Sequence, residues 1–194
     1  MKINSKISKI LNKEMTIKEF ATICGTVDTE GYKEWKKLLE HLLRKSPRAY
    51  RNGRVNYILF QEAICELSGG FIVYGGQGNK NPDCYIDNLW CETKSYNPEE
   101  SDTWTCASSL QASNSGVPKW RKLLKEQSKQ AAKDFLFERS YNKNAYYCLA
   151  GTGNCDTPFE QVKLIFVTKD TLIKHLKDDY RKLDLTSLRK ILVK

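Results

Sequence analysis

Two stretches near the N-terminus have the spacing of apolar residues that is typical of amphipathic helices. The first begins at Thr16, where Glu19 completes a capping box, and ends at Gly25. The second runs from near Thr29 to Leu43. Its apolar face comprises Tyr32, Trp35, Leu38, Leu39 and Leu42. Two short helices around a glycine turn are compatible with a helix-turn-helix that binds DNA, but they are more often ordinary packing helices.

Beyond a basic loop predicted over 44–54, the pattern changes from one helix to a series of strands. The predicted elements are a helix over 55–67 and strands over 71–74, 83–86 and 89–96. Gly69 and Gly70 end the helix, and Asp87-Asn88 has the residue types of a tight hairpin turn. The last two strands are therefore expected to lie side by side.

The C-terminal half continues the alternation of helices and strands after a polar insertion over 97–117. The predicted elements are a helix over 118–137, strands over 145–150 and 162–167, and helices over 169–176 and 185–192. The sequence thus predicts a mixed α/β protein. It divides into a helical, basic segment over 1–54 and a core over 55–194.

Charge is distributed unevenly along the 194 residues, whose net charge is +9. Residues 1–60 carry +7, residues 61–117 carry −6 and residues 118–194 carry +8. Clustered carboxylates can hold a divalent cation, and basic flanks can bind a polyanion such as nucleic acid. The alternative is that surface lysine is simply common in this chain.

Other features exclude several classes of protein. No apolar run approaches the roughly 20 residues of a membrane span, so no membrane association is expected, and residues 1–18 lack the apolar core of a signal peptide. The seven cysteines include no CxxC pair, which favours reduced core thiols in a cytoplasmic protein and no zinc site. Without a GxxxxGK[ST] motif, no nucleotide cofactor is expected.

Candidate chemistry is concentrated in the predicted hairpin. Pro82-Asp83 and Glu92-Thr93-Lys94 form the pattern PD-x8-ExK. Side chains alternate along a strand, so Glu92 and Lys94 share one face, and the neighbouring strand brings Asp83 beside them. A carboxylate and an ammonium in an otherwise apolar strand need partners, which are either each other or a metal ion. An ion pair without catalysis is the alternative.

With this motif inside the predicted order of elements, the chain resembles the PD-(D/E)XK nuclease superfamily. The resemblance covers roughly residues 55–150 and implies the restriction-endonuclease-like fold, whose αβββαβ core has a central mixed sheet flanked by helices. It also implies a Mg²⁺-dependent endonuclease, with Mn²⁺ as a substitute, that leaves 5′-phosphate and 3′-hydroxyl ends. A type II restriction enzyme is the simplest interpretation. A Holliday-junction or repair nuclease and a non-catalytic DNA-binding module are the alternatives.

The resemblance assigns roles to individual residues. It implies that Asp83, Glu92 and the Thr93 carbonyl hold the metal, and that Lys94 orients the attacking water. The family often places a further acidic residue on the preceding helix. Glu62 is preferred there because it shares a helical face with Ile58 and Cys65, and Glu66 is the alternative.

The expected partner is double-stranded DNA, and a palindromic site would favour a homodimer. Arg48, Arg51 and Arg54 are candidate phosphate contacts because they directly precede the helix over 55–67. The pattern places Gln127 on the apolar face of the helix over 118–137. The resemblance implies a role there, because several nuclease branches have a glutamine near the metal and the DNA. A partly buried polar contact is the alternative. Candidate base-reading residues are Gln111, Asn114 and Arg121.

Overall fold

A computed structural model describes residues 5–75, 82–104, 122, 123, 125–128, 130, 131, 134, 146–152, 156–177 and 182–192. Over these residues the chain has a mixed α/β architecture, in which helices flank a six-stranded sheet. The predicted fold class is therefore confirmed. Within the described part of the chain, no helix is long and apolar enough to cross a membrane.

Among the described residues, four helices in succession precede a series of strands. The helices are α1 (Ser5–Ile10), α2 (Ile17–Cys24), α3 (Glu30–Lys45), α4 (Pro47–Arg51), α5 (Gly53–Leu67), α6 (Lys169–Lys174) and α7 (Leu185–Arg189), with a 3-10 turn at Phe159–Gln161. The strands are β1 (Lys13–Thr16), β2 (Ile72–Tyr74), β3 (Cys84–Ile86), β4 (Leu89–Ser95), β5 (Asp102–Trp104), β6 (Tyr146–Ala150), β7 (Lys163–Thr168) and β8 (Lys182–Asp184).

The large sheet has the strand order β1-β7-β6-β4-β3-β2. Strands β2, β3 and β4 form an antiparallel meander, β4 pairs in parallel with β6, and β7 pairs antiparallel with β6 and β1. Strands β5 and β8 form a separate antiparallel pair. The parallel pairing places the middle of β4 in the interior of the sheet.

Each face of the sheet buries its own apolar cluster. On one face Phe166 of β7 packs in the cluster that includes Phe20 of α2 and Phe60 of α5. On the other face Tyr147 of β6 packs in the cluster that includes Leu172 of α6. This division follows from the alternation of side chains along β6 and β7. Strand β4 therefore lies between two layers of packed structure.

Local signals placed several element ends correctly. Thr16 and Glu19 form the predicted capping box of α2, and Gly25 follows the helix with a φ of 77°. The hairpin turn between β3 and β4 has positive φ at both Asp87 (48°) and Asn88 (64°). Both central residues of a type I′ turn need positive φ, a region that Asp and Asn tolerate.

Other expectations were wrong. The loop predicted over 44–54 is largely helical, because α3 continues to Lys45 and Pro47 begins α4 at a position that tolerates proline. Leu38 is 48% exposed and does not belong to the buried face of α3. Strands β1, β5 and β8 were not predicted, and β5 lies inside the polar insertion.

The helix predicted over 118–137 is interrupted in its described part. The backbone N–H groups of Gln127 and Ser128 both donate to the carbonyl of Leu123, as at the end of a helix. The Ser128 hydroxyl then accepts from the N–H of Ala131 at 3.0 Å, which is the contact of an N-cap. Serine at 128 thus separates two helical pieces.

The Ser68 side chain joins the end of α5 to the start of β2. It is fully buried, donates to the Cys65 carbonyl at 2.6 Å and accepts from the Ile72 N–H at 2.9 Å. Ser68→Ala is expected to lower the free energy of unfolding by about 1–3 kcal/mol, since the Ile72 N–H then loses its side-chain acceptor. Urea denaturation measures the change. Ser46→Ala, at an N-cap without a side-chain hydrogen bond, should change it by less than about 0.5 kcal/mol.

His175 links α6 to α7 through a 2.9 Å contact between its Nδ1 and the Ser187 hydroxyl. Burial lowers the pKa of His175, and the nearby Asp184 only partly opposes this. The unfolded chain therefore binds more protons than the folded chain just below the usual histidine pKa of about 6.5, so stability should fall as the pH falls through that value. Denaturant unfolding at pH 7.5 and at pH 5 measures how much the free energy of unfolding falls between the two. The fall should be smaller in His175→Asn than in the wild-type chain. It should be the same as wild type in His41→Asn, which changes an exposed histidine.

Candidate active site

The β3–β4 hairpin brings Asp83, Glu92 and Lys94 together. Cys84 pairs with Cys91 across the hairpin, which places the preceding residue, Asp83, beside Glu92. Glu92 and Lys94 are two residues apart on β4 and therefore point to the same face. The grouping predicted from the sequence is thus present.

The three side chains form a compact charged group. The Lys94 ammonium lies 3.2 Å from Glu92 Oε2 and 3.7 Å from Asp83 Oδ2. The side chains of Asp83, Glu92 and Lys94 are 28%, 14% and 24% exposed, so the group is half-buried but open to a ligand. One cation therefore already bridges the two carboxylates.

Neighbouring groups hold both carboxylates in place. Asp83 Oδ2 accepts from the Thr93 N–H at 2.8 Å and from the Thr93 hydroxyl at 3.0 Å. Glu92 Oε1 accepts from the Trp90 indole N–H at 2.6 Å. Glu92 therefore divides its oxygens between Trp90 and Lys94. Asp83 Oδ2, in contrast, is the oxygen near both Thr93 and Lys94.

Electrostatics at the site favour a bound cation. Burial raises the pKa of Glu92, and the charge of Asp83 raises it further. The Lys94 ammonium and the Trp90 N–H act in the opposite direction but do not reverse the shift. A carboxyl group with this environment gains from additional positive charge close by.

Asp83 and Glu92 offer carboxylate oxygens, the ligands that hard divalent cations such as Mg²⁺ take. Among the described residues, no group of three or more His, Cys, Asp or Glu side chains is arranged to hold a metal ion. Mg²⁺ commonly uses only one or two carboxylates, with water and substrate phosphate completing its coordination. The pair Asp83 and Glu92 meets that requirement, and the described residues present no cage of thiolates or histidines that would suit zinc.

Gln61 of α5 reaches the hairpin next to Asp83. It is 5% exposed, and its Nε2 donates to the Asp83 carbonyl at 2.9 Å. Sequence reasoning missed this contact, although Gln61 directly precedes Glu62. Glu62 itself is exposed, so its predicted role at the site stays a prediction. Glu66 Oε2 accepts from the Trp35 indole N–H at 2.7 Å and so faces α3.

A buried tyrosine pairs in register with Glu92. Tyr147 of β6 is the register partner of Glu92, and its hydroxyl has no hydrogen-bond partner among the described residues. Burial raises the pKa of Tyr147, and the charges of Glu92 and Asp83 add to that effect. Burial therefore favours the protonated form of this hydroxyl.

The predicted DNA contacts are only partly described. Arg48 on α4 is exposed. Arg51 is also exposed but forms a bidentate ion pair with Asp156, with one contact of 2.7 Å from Nε to Oδ1. The side chain of Arg54, and the residues Gln111, Asn114 and Arg121, lie outside the described part of the chain.

The expected position of Gln127 on an apolar helical face is wrong. Its side chain is exposed, because the helical turn ends at this residue. An exposed glutamine remains available to a ligand, so its assignment as a DNA contact stays a prediction.

Comparisons of the chain with family models, with curated proteins and with solved structures found no match. The interpretation of the site therefore rests on the geometry of Asp83, Glu92 and Lys94.

Proposed function

We propose that this protein is a Mg²⁺-dependent endonuclease that hydrolyses phosphodiester bonds in double-stranded DNA, most simply a type II restriction enzyme of the PD-(D/E)XK superfamily. One observation carries the proposal. The Lys94 ammonium lies within 3.2 Å of Glu92 and 3.7 Å of Asp83 in a half-buried, partly open site. Two carboxylates and a lysine in this arrangement supply the groups that phosphodiester hydrolysis needs.

Each side chain has a distinct part in the proposed reaction. Asp83 and Glu92, with the Thr93 carbonyl, would hold Mg²⁺. When bound, the ion polarises the scissile phosphate and lowers the pKa of a water. Lys94 orients that water and stabilises negative charge as it develops on the phosphate. Trp90 and Thr93 keep the two carboxylates oriented, so little reorganisation is needed when substrate binds.

The order of elements around the site supports the same proposal. Helix α5 precedes the meander of β2, β3 and β4, and β6 pairs in parallel with β4. Between β4 and β6, residues 122, 123, 125, 126, 130, 131 and 134 are helical. β5 follows β4 but belongs to a separate sheet, so the elements around the large sheet support the αβββαβ order that the resemblance implies.

The proposed partners follow from charge and symmetry. The segments on either side of the acidic centre carry +7 and +8, which suits binding along a phosphate backbone. A homodimer is proposed because a two-fold protein matches a palindromic site. The proposed cytoplasmic location agrees with the five described free cysteines, Cys24, Cys65, Cys84, Cys91 and Cys148.

Plasmid digestion tests the proposal. The purified chain is incubated with plasmid DNA and Mg²⁺, with a parallel sample in chelator, and the ends are sequenced. Discrete fragments with 5′-phosphates, lost on chelation and restored by Mg²⁺ or Mn²⁺, would support a sequence-specific enzyme. Cleavage of branched DNA alone would favour the junction nuclease. Salt-sensitive binding without cleavage of any DNA would contradict the nuclease and leave the binding module.

A further inference from the structure

A pair of thiols lies on the other side of the hairpin from the charged group. The sulfur of Cys65 on α5 lies 3.2 Å from the sulfur of Cys84 on β3, and both cysteines are free. We propose that Cys65 and Cys84 are a site of reversible oxidation, which a peroxide converts into a disulfide that joins α5 to β3. This inference does not depend on the proposed nuclease activity.

The geometry needs little change to form the bond. A disulfide has a sulfur–sulfur distance of about 2.05 Å, so the two sulfur atoms would approach each other by about 1 Å. The side chains already point at each other, because their sulfur atoms are in direct contact. Gln61, one helical turn before Cys65, donates to the Asp83 carbonyl next to Cys84. Helix α5 and the start of β3 are therefore held together at two adjacent points before oxidation.

Exposure separates the roles of the two thiols. Cys65 is partly exposed, whereas Cys84 is fully buried. Two further buried cysteines, Cys91 and Cys148, lie in the same apolar cluster as Cys84. A small oxidant would therefore reach Cys65 first, and Cys84 is the thiol in contact with it. Partial exposure of the attacked thiol and a second thiol in contact are two of the three features of a redox-sensitive pair, the third being a low thiol pKa.

The reaction balances with hydrogen peroxide as the oxidant. The Cys65 sulfur attacks one peroxide oxygen, so that a sulfur–oxygen bond forms, the oxygen–oxygen bond breaks and one water leaves after proton transfer. The Cys84 sulfur then attacks the Cys65 sulfenic acid, the sulfur–oxygen bond breaks and a second water leaves. Two thiols lose two electrons in total, and the peroxide gains them. A dithiol reductant reverses the bond by thiol–disulfide exchange.

The disulfide should stabilise the fold. It would close a loop between residues that are 19 apart in sequence, which restricts the unfolded chain. For a protein of this size, we expect the Tm to rise by about 5–10 °C on oxidation and to return on reduction.

The experiment compares the full chain with single cysteine variants. Reduced protein is treated with hydrogen peroxide, then analysed by intact mass, by peptide mapping without reductant and by thermal unfolding. The expected result is a mass loss of about 2 Da, from the two hydrogens removed on disulfide formation, with a peptide linking Cys65 to Cys84 and the rise in Tm. Cys65→Ser should lose all three changes. Cys24→Ser, which removes a buried cysteine outside the pair, should keep them.

Three results would overturn the proposal. The first is a disulfide that links Cys84 to Cys91, or any other pair, in place of Cys65. The second is oxidation of Cys65 that stops at a stable sulfenic or sulfinic acid. The third is a Cys65→Ser variant that still shows the mass loss and the rise in Tm on oxidation. Because Cys65 is only partly buried, this variant is expected to fold even if replacement of the fully buried Cys84 prevents folding.

Discussion

Lys94→Ala is expected to lower the rate of Mg²⁺-dependent DNA cleavage by about 10²–10⁴-fold. The ammonium lies 3.2 Å from Glu92 Oε2, where it can orient a water beside the two carboxylates. DNA affinity should stay near that of the wild-type chain, since the backbone contacts proposed for the basic segments do not involve Lys94. Single-turnover cleavage measures the rate, and a binding titration with Ca²⁺ in place of Mg²⁺ measures the affinity.

Lys33→Ala is the matched control for this variant. Lys33 pairs with Glu30 on an exposed surface of α3, so its loss removes one positive charge without touching the hairpin. At saturating enzyme, its single-turnover cleavage rate should equal that of the wild-type chain. Wild-type cleavage by Lys94→Ala would show that the proposed active site is wrong, even if the protein cleaves DNA.

Asp83→Asn and Glu92→Gln are each expected to weaken Mg²⁺ binding by more than about 100-fold, because loss of a direct ligand exceeds the 10- to 100-fold effect typical of outer-shell contacts. Cleavage should fall with metal affinity. Both substitutions keep an oxygen that can accept from Thr93 or Trp90, so the hairpin should remain folded. Calorimetric titration with Mg²⁺ measures binding, and circular dichroism checks the fold.

Glu66→Gln and Glu62→Gln complete this series. Glu66 already accepts from Trp35 on the side of α3, so Glu66→Gln should cleave DNA at the wild-type rate. Reduced cleavage by Glu62→Gln would identify Glu62 as the acidic residue that the resemblance implies. Unaltered Mg²⁺ affinity in both Asp83→Asn and Glu92→Gln would contradict the assignment of these carboxylates as metal ligands.

The core of the candidate site could be predicted from the sequence because its determinants are local. Two residues of separation on a strand place Glu92 and Lys94 on one face, and Asp87-Asn88 can adopt the positive φ that a tight hairpin requires. Together these features bring Asp83 beside Glu92. The surrounding contacts were not predictable in the same way, since Gln61 reaches the hairpin only after α5 packs against it.

The candidate DNA contacts illustrate the same limit. The sequence identified Arg51 as basic and close to α5, but its carboxylate partner, Asp156, is 105 residues away in the chain. Likewise, the pattern placed Gln127 on a helical face, and the interruption at Ser128 exposes it. In both cases the sequence shows the chemical type of the side chain, but not the residues that surround it in the folded protein.

The sequence by itself determined the ends of α2, the hairpin and the grouping of the site's charges, because each depends on residues within a few positions or on one tight turn. Tertiary structure decided which short segments became strands. β1, β5 and β8 are three or four residues long and pair with distant partners. It also brought Cys65 against Cys84. Such contacts form only when whole elements pack, and their free energy depends on surfaces that no local pattern specifies.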